Sequence, residues 1–112
     1  MSAATRAEIF EWGAYLYDIA RAKAEAAARP HERVMIPVAS WATMLGVMRI
    51  DADHVPTRPL DEPLLLVRLG DHPDTVMVID GWHRIAKAHA AGVEGLPGLL
   101  LDAAAEAAAR LR

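Results

Sequence analysis

The stretch Val76-Met77-Val78-Ile79-Asp80-Gly81-Trp82-His83-Arg84-Ile85-Ala86-Lys87-Ala88 decides the fold of this chain. Together with Thr75, its first half is an apolar, β-branched run of strand length, which predicts a strand central to a sheet. Gly81 ends that run, and Trp82 to Ala91 reads as a helix closed by Gly92 in a C-terminal capping position. Downstream, Leu96-Pro97-Gly98-Leu99-Leu100-Leu101 returns as another strand, and Asp102 is placed to cap a last helix over 102–112. Upstream, Leu64 to Leu69 reads as a strand and Asp71-His72-Pro73-Asp74 as a polar, hairpin-like loop.

Further out the reading is coarser. Between Met48 and Pro63 the prolines and aspartates mark turns. Ser40 can cap a short helix carrying Met44, Leu45 and Met48, although Gly46 argues against a long one. From Thr5 to Arg29 the chain reads as an amphipathic helix: Ile9, Trp12, Leu16 and Ile19 recur at helical spacing, an alanine-rich segment follows, and Pro30 stops it. That aromatic stripe needs cover, either from the domain's own sheet or from a second copy in a homodimer. The expectation is one α+β domain over 1–112, a small mixed β-sheet with flanking helices. Its parts are an N-terminal helix (1–30), a core (48–101) and a C-terminal helix (102–112).

Composition removes several function classes. A chain of 112 residues with 54 % hydrophobic and 24 % charged residues can bury a core without staples. Zero cysteines exclude disulfides, thiolate metal sites and cysteine nucleophiles. A net charge of −3, with its 12 Lys and Arg scattered, argues against autonomous DNA binding, which draws its affinity from neutralised phosphates. No apolar run is long enough to span a membrane, and the first residues lack the pattern of a secretory signal, so a cytoplasmic location is expected.

The junction at Gly81 is where chemistry concentrates. A helix that starts directly after a strand presents unsatisfied N–H groups and the positive end of its dipole, which together attract anions. Gly81 allows a sharp turn and a close approach to the backbone. Arg84 offers a planar fork for phosphate or carboxylate, His83 can donate as well, and Lys87 stands one turn further on. Asp80 can hold a metal ion or accept a proton. The same residues also fit a purely structural reading. Asp80 then caps the helix, Trp82 belongs to the core, and His83, Arg84 and Lys87 form a solvated face.

The segment Val78 to Leu101, VIDGWHRIAKAHAAGVEGLPGLLL, resembles the signature region of the ParB/sulfiredoxin superfamily. There a strand leads into a Gly-x-x-Arg box, a helix, a glycine and a short strand. The box here is Gly81-Trp82-His83-Arg84, and the Asp-Gly-x-His-Arg form, Asp80 to Arg84, is most similar to that of the ParB-like serine kinases. The resemblance spans roughly Met48 to Leu101. It implies a nucleotide-phosphate site, since the family binds CTP in partitioning proteins, ATP in sulfiredoxin, and ATP or ADP in the kinases. By that likeness Gly81, His83 and Arg84 contact the phosphates of a nucleotide of the ATP or CTP class, with or without Mg²⁺, and Asp80 belongs to the active site, serving metal or base. Trp82 is placed to stack on the ligand or to pack on the sheet, and Lys87 stands one turn on.

Departures from the family pattern narrow this. Trp82 stands where sulfiredoxin has its reactive cysteine, so that chemistry is absent. No helix-turn-helix follows the sheet, so the DNA reading of partitioning proteins is not expected. Nor is a nuclease centre indicated, because no convincing set of metal-binding carboxylates is visible. His31, His54, His72 and His89 form no metal pattern and read as surface or loop residues. Asp51, Asp53, Asp61 and Glu62 read as turn and solvated residues, although Asp51 and Asp53 share one strand face. Ser40 has no nucleophile elbow, and no P-loop or dinucleotide fingerprint occurs. Two functions remain: a domain binding a nucleotide or other phosphorylated ligand, with phosphoryl transfer or nucleotide hydrolysis as its fitting chemistry, or a non-enzymatic interaction module working through the aromatic N-terminal stripe.

Overall fold

The computed structural model describes residues 8–48 and 60–112. Its elements are β1 (Ile9–Trp12), β2 (Tyr15–Asp18), α1 (Ile19–Ala28), β3 (Glu32–Pro37), α2 (Val38–Ala42), a 3-10 turn (Leu45–Val47), β4 (Leu64–Leu69), β5 (His72–Asp80), α3 (Trp82–Ala90), β6 (Gly95–Leu100) and α4 (Ala103–Ala109). The architecture is α+β. A four-stranded mixed sheet runs in the order β3-β6-β4-β5, with β4 parallel to β6 and the other pairs antiparallel. The hairpin β1–β2 forms a small sheet of its own.

The strand before Gly81 lies at the edge of the sheet, not at its centre. The central strands are β6 and β4. Met77, Val78 and Ile79 are buried all the same, because an apolar run reports burial rather than strand position. Leu64, Leu65, Leu66 and Val67 are buried on both faces of β4 and join Ile85 and Ala88 of α3, Leu96 of β6 and Ala105 and Ala109 of α4 in one core. α1 packs on α4, and α2 on α3. No helix among the described residues is long and apolar enough to cross a membrane.

The N-terminal helix is shorter than the sequence reading, which runs it from Thr5 through Arg29. Residues 1–7 lie outside the described part, and from Ile9 to Asp18 the chain is a hairpin pairing Phe10 with Tyr17 and Trp12 with Tyr15. Aromatics at 10, 12, 15 and 17 alternate about a two-residue turn, which suits a pleated ribbon better than a helix. Gly13, at φ 57°, takes the left-handed conformation that such a turn requires. Ile9, Trp12, Leu16 and Ile19 therefore do not form one helical stripe: Ile9 is exposed and Ile19 is core. The helix starts at Ile19, capped by Asp18, whose carboxylate accepts from the Arg21 N–H at 3.1 Å. The alanine-rich segment is helical, as its propensity predicts.

Two smaller differences lie further along the chain. Ser40 lies inside α2 rather than capping it; Pro37 holds the N-cap position. Pro37 also ends β3, which the sequence reading passes over. The final helix is capped as read, with the Asp102 carboxylate accepting from the Ala105 N–H at 2.8 Å.

Candidate functional site

The junction is a tight one. Gly81 sits at φ +119°, and a Cβ there would overlap the Leu64 side chain of β4, so only glycine lets α3 start this close to the sheet. The helical ladder opens with the Ile85 N–H donating to the Gly81 carbonyl at 3.0 Å. The N–H groups of Trp82, His83 and Arg84 thus precede the ladder, at the positive end of a nine-residue helix.

A cleft of about 470 Å³ opens on this junction. One side is the junction itself, Ile79 to His83; the opposite wall is Glu8 to Trp12 of the hairpin, with Ile19; Val47 and Met48 close a third side. Each lining carboxylate faces a cation that stands outside the lining. Glu8 lies 3.7 Å from Lys23, Glu11 3.0 Å from Arg112, and Asp80 3.2 Å from Arg84. Ile9 and Val47 are apolar, exposed and part of the lining.

Asp80, Gly81, Trp82 and His83 are brought together on the cleft, while Arg84 and Lys87 are not part of its lining. Arg84 is fully buried. Its Nη1 donates to the carbonyls of Glu62 (2.6 Å) and Pro63 (2.9 Å), and its Nη2 to Asp80 Oδ2 (3.2 Å). The guanidinium thereby ties the chain entering β4 to the end of β5. Trp82 is buried too: its indole N–H donates to the Val78 carbonyl at 2.8 Å, and its ring meets Trp41 edge-on at 5.9 Å between centroids. Lys87 and His83 are half-buried.

Among the described residues no group of three or more His, Cys, Asp or Glu could hold a metal ion. Asp51, Asp53 and His54 lie outside the described part. Asp61, Glu62 and His89 are exposed, and His72 meets Tyr15 edge-on at 6.5 Å. His31 is not a surface residue. Its ring is fully buried between α1 and α4, with Nε2 3.0 Å from the Glu25 carbonyl and Nδ1 accepting from the Asp102 N–H at 3.3 Å.

The hairpin wall escapes sequence reasoning, because its residues are far from Gly81 in the chain and read as a helix. A buried acid escapes it as well. Glu106, alone in an alanine-rich helix, accepts from the Tyr17 hydroxyl at 2.7 Å and from Arg110 Nε at 2.9 Å. Burial, reinforced by that hydrogen bond and by the charge of Glu106, pushes the Tyr17 hydroxyl well above its ordinary range. The one available signal was Glu106 itself, a charge on the face that α4 turns inward. No protein family, curated protein or solved structure matches this chain.

Proposed function

We propose that this chain is a ParB/sulfiredoxin-like protein that binds a nucleotide or another phosphorylated ligand in the cleft at the start of α3. The observation that carries the reading is the coincidence of cleft and box: Asp80, Gly81, Trp82 and His83 all line the same opening. A volume of about 470 Å³ is in the range of small-ligand sites. The ligand's phosphate is assigned to the N-terminus of α3 and His83, and its apolar part to Phe10, Trp12 and Trp82. Arg84 supports the site from behind and does not touch the ligand. Mg²⁺, which keeps several waters and binds through phosphates, fits as a companion of the ligand rather than as a resident metal. If the ligand is turned over, phosphoryl transfer or hydrolysis is the fitting reaction, with Asp80, which lines the cleft, as metal ligand or base.

Two observations favour a second reading, a non-enzymatic interaction module: Arg84 is an internal brace, and Ile9 and Val47 offer apolar surface at the cleft. Thermal unfolding of the wild type and of His83→Ala, against ATP, ADP, CTP and GTP with and without Mg²⁺, separates the two. A ligand at about one hundred times its Kd adds about 2.7 kcal/mol. A nucleotide-specific rise that shrinks in His83→Ala supports the ligand site. No rise with any nucleotide, together with a dimeric solution mass that buries Trp12, puts the interaction module in its place.

A further inference from the structure

We propose that Leu111 and Arg112 are positioning residues for the cleft, holding the β1–β2 hairpin so that its aromatic wall stands at binding distance from α3. This rests on the reading of the cleft as a ligand site. The hairpin pairs with no strand of the main sheet, and a two-stranded ribbon needs a third strand or packing to be stable in water. β2 has packing through the buried Tyr17, whereas the side chains of β1 are at most partly buried. Residues Arg110 to Arg112 supply that third strand. The Leu111 N–H donates to the Leu16 carbonyl at 2.6 Å, the Leu16 N–H donates to the Arg112 carbonyl at 3.1 Å, and Tyr17 bridges Arg110 in antiparallel register.

The order across the ribbon is β1, β2, then this strap, so the strap sits on the side away from the strand that lines the cleft. Arg112 also reaches across to β1: its Nη2 lies 3.0 Å from Glu11 Oε2, a lining carboxylate. Both side chains of that pair are well exposed, so it orients the wall more than it stabilises it. Within the strap, the backbone bonds do the holding, beside the Tyr17–Glu106 contact of β2 with α4.

The test uses Leu111→Pro, which removes the donating N–H while altering a side chain that is 54 % exposed. A truncation after Arg110 is the second variant, since it leaves the Arg110–Glu106 pair in place. Amide exchange is followed over 9–18 and over β4 and β6 without ligand, and affinity for ATP and for CTP is measured beside it. Expected are exchange in 9–18 faster by about tenfold or more, unchanged protection in β4 and β6, and nucleotide affinity weakened by about tenfold. Unchanged protection of 9–18 overturns the proposal, and so does a loosened hairpin that binds nucleotide as tightly as the wild type. If the wild type binds neither nucleotide, the ligand reading fails separately, and exchange alone still decides whether the strap holds the wall.

Discussion

Arg84 Nη2 lies 3.2 Å from Asp80 Oδ2 across the turn at Gly81, and the two side chains are 0 % and 6 % exposed. A guanidinium placed this way is a brace. It joins the residues that lead into β4 to the end of β5 and fixes the pitch at which α3 leaves the sheet. Removing one partner of a buried ion pair costs about 3–5 kcal/mol, because the other charge stays buried. Arg84→Ala is therefore expected to lower Tm by about 12 °C or more, and calorimetry measures it. Arg84→Lys should recover part of that loss, since an ammonium keeps the charge but lacks the planar fork that serves Glu62, Pro63 and Asp80 together. A fall in Tm of only a few degrees for Arg84→Ala would show that the brace is dispensable.

Gly81→Ala tests the turn itself. Its φ of +119° is one that L side chains rarely adopt, and the new methyl would collide with Leu64, which is 1 % exposed and has nowhere to go. Backbone strain of this kind costs about 1–3 kcal/mol before the collision is added. The expected loss is about 3 kcal/mol or more in a urea titration with an unchanged slope. Gly81→Ala paired with Leu64→Ala should lose less than the sum of the two single changes, because shortening Leu64 removes the atoms that the new methyl would strike. Strict additivity would locate the cost in the backbone alone.

The part of the fold that was legible from the sequence is the part set locally. Strand β4, the Gly81 junction, α3, β6 and the Asp102 cap each announce themselves through period, length and capping chemistry within a few residues. The hairpin was hidden because Ile9, Trp12, Leu16 and Ile19 happen to fit helical spacing, while the decisive signal was the alternation of Phe10, Trp12, Tyr15 and Tyr17 around Gly13. Strand β3 was hidden by its mixed composition, and its place in the sheet comes from pairing with β6, a partner more than fifty residues away. At the candidate site the sequence placed Asp80 to His83 together, yet it left open the direction of Arg84. That direction is set by two carbonyls at the entry to β4, which no helical wheel contains.

Acid should loosen the contact between α1 and α4. The Asp102 carboxylate receives both Arg29 Nε at 2.9 Å and Nη2 at 2.7 Å, and Arg29 with the Ala105 N–H holds it well below its ordinary value of 3.8. Arg29 and then Arg21 hold Glu25 below its ordinary 4.5 in the same way. A carboxylate whose folded value is depressed contributes stability above its unfolded value and loses it as the pH falls through the folded one. Tm is thus expected to be steady near neutrality and to drop as the pH goes below about 4. Asp102→Asn should flatten part of that acid limb, as read by calorimetry across the range. An acid limb identical to that of the wild type would place the responsible carboxylates elsewhere.

The alkaline limb should carry the signature of Tyr17. Its hydroxyl is raised far above the ordinary 10.0, first by burial and then by donating to Glu106, so folding favours the protonated phenol. A raised folded value means that this contribution is complete below the unfolded value of 10.0 and is lost progressively as the pH rises past it. Lysines titrate in the same range, so the difference between wild type and Tyr17→Phe isolates the phenol. Near neutrality Tyr17→Phe is expected to lose about 1.5–3 kcal/mol, the worth of a hydrogen bond to a charged group. Arg110, 2.9 Å from Glu106, keeps that carboxylate partnered in the variant and holds the loss to this size. As the pH rises from about 8 to 11, urea titrations should show the two proteins converging, because the wild type gives up what the variant never had. Parallel curves over that range would mean that the phenol ionises without opening the fold, and that α4 is not held to the hairpin through Tyr17 and Glu106.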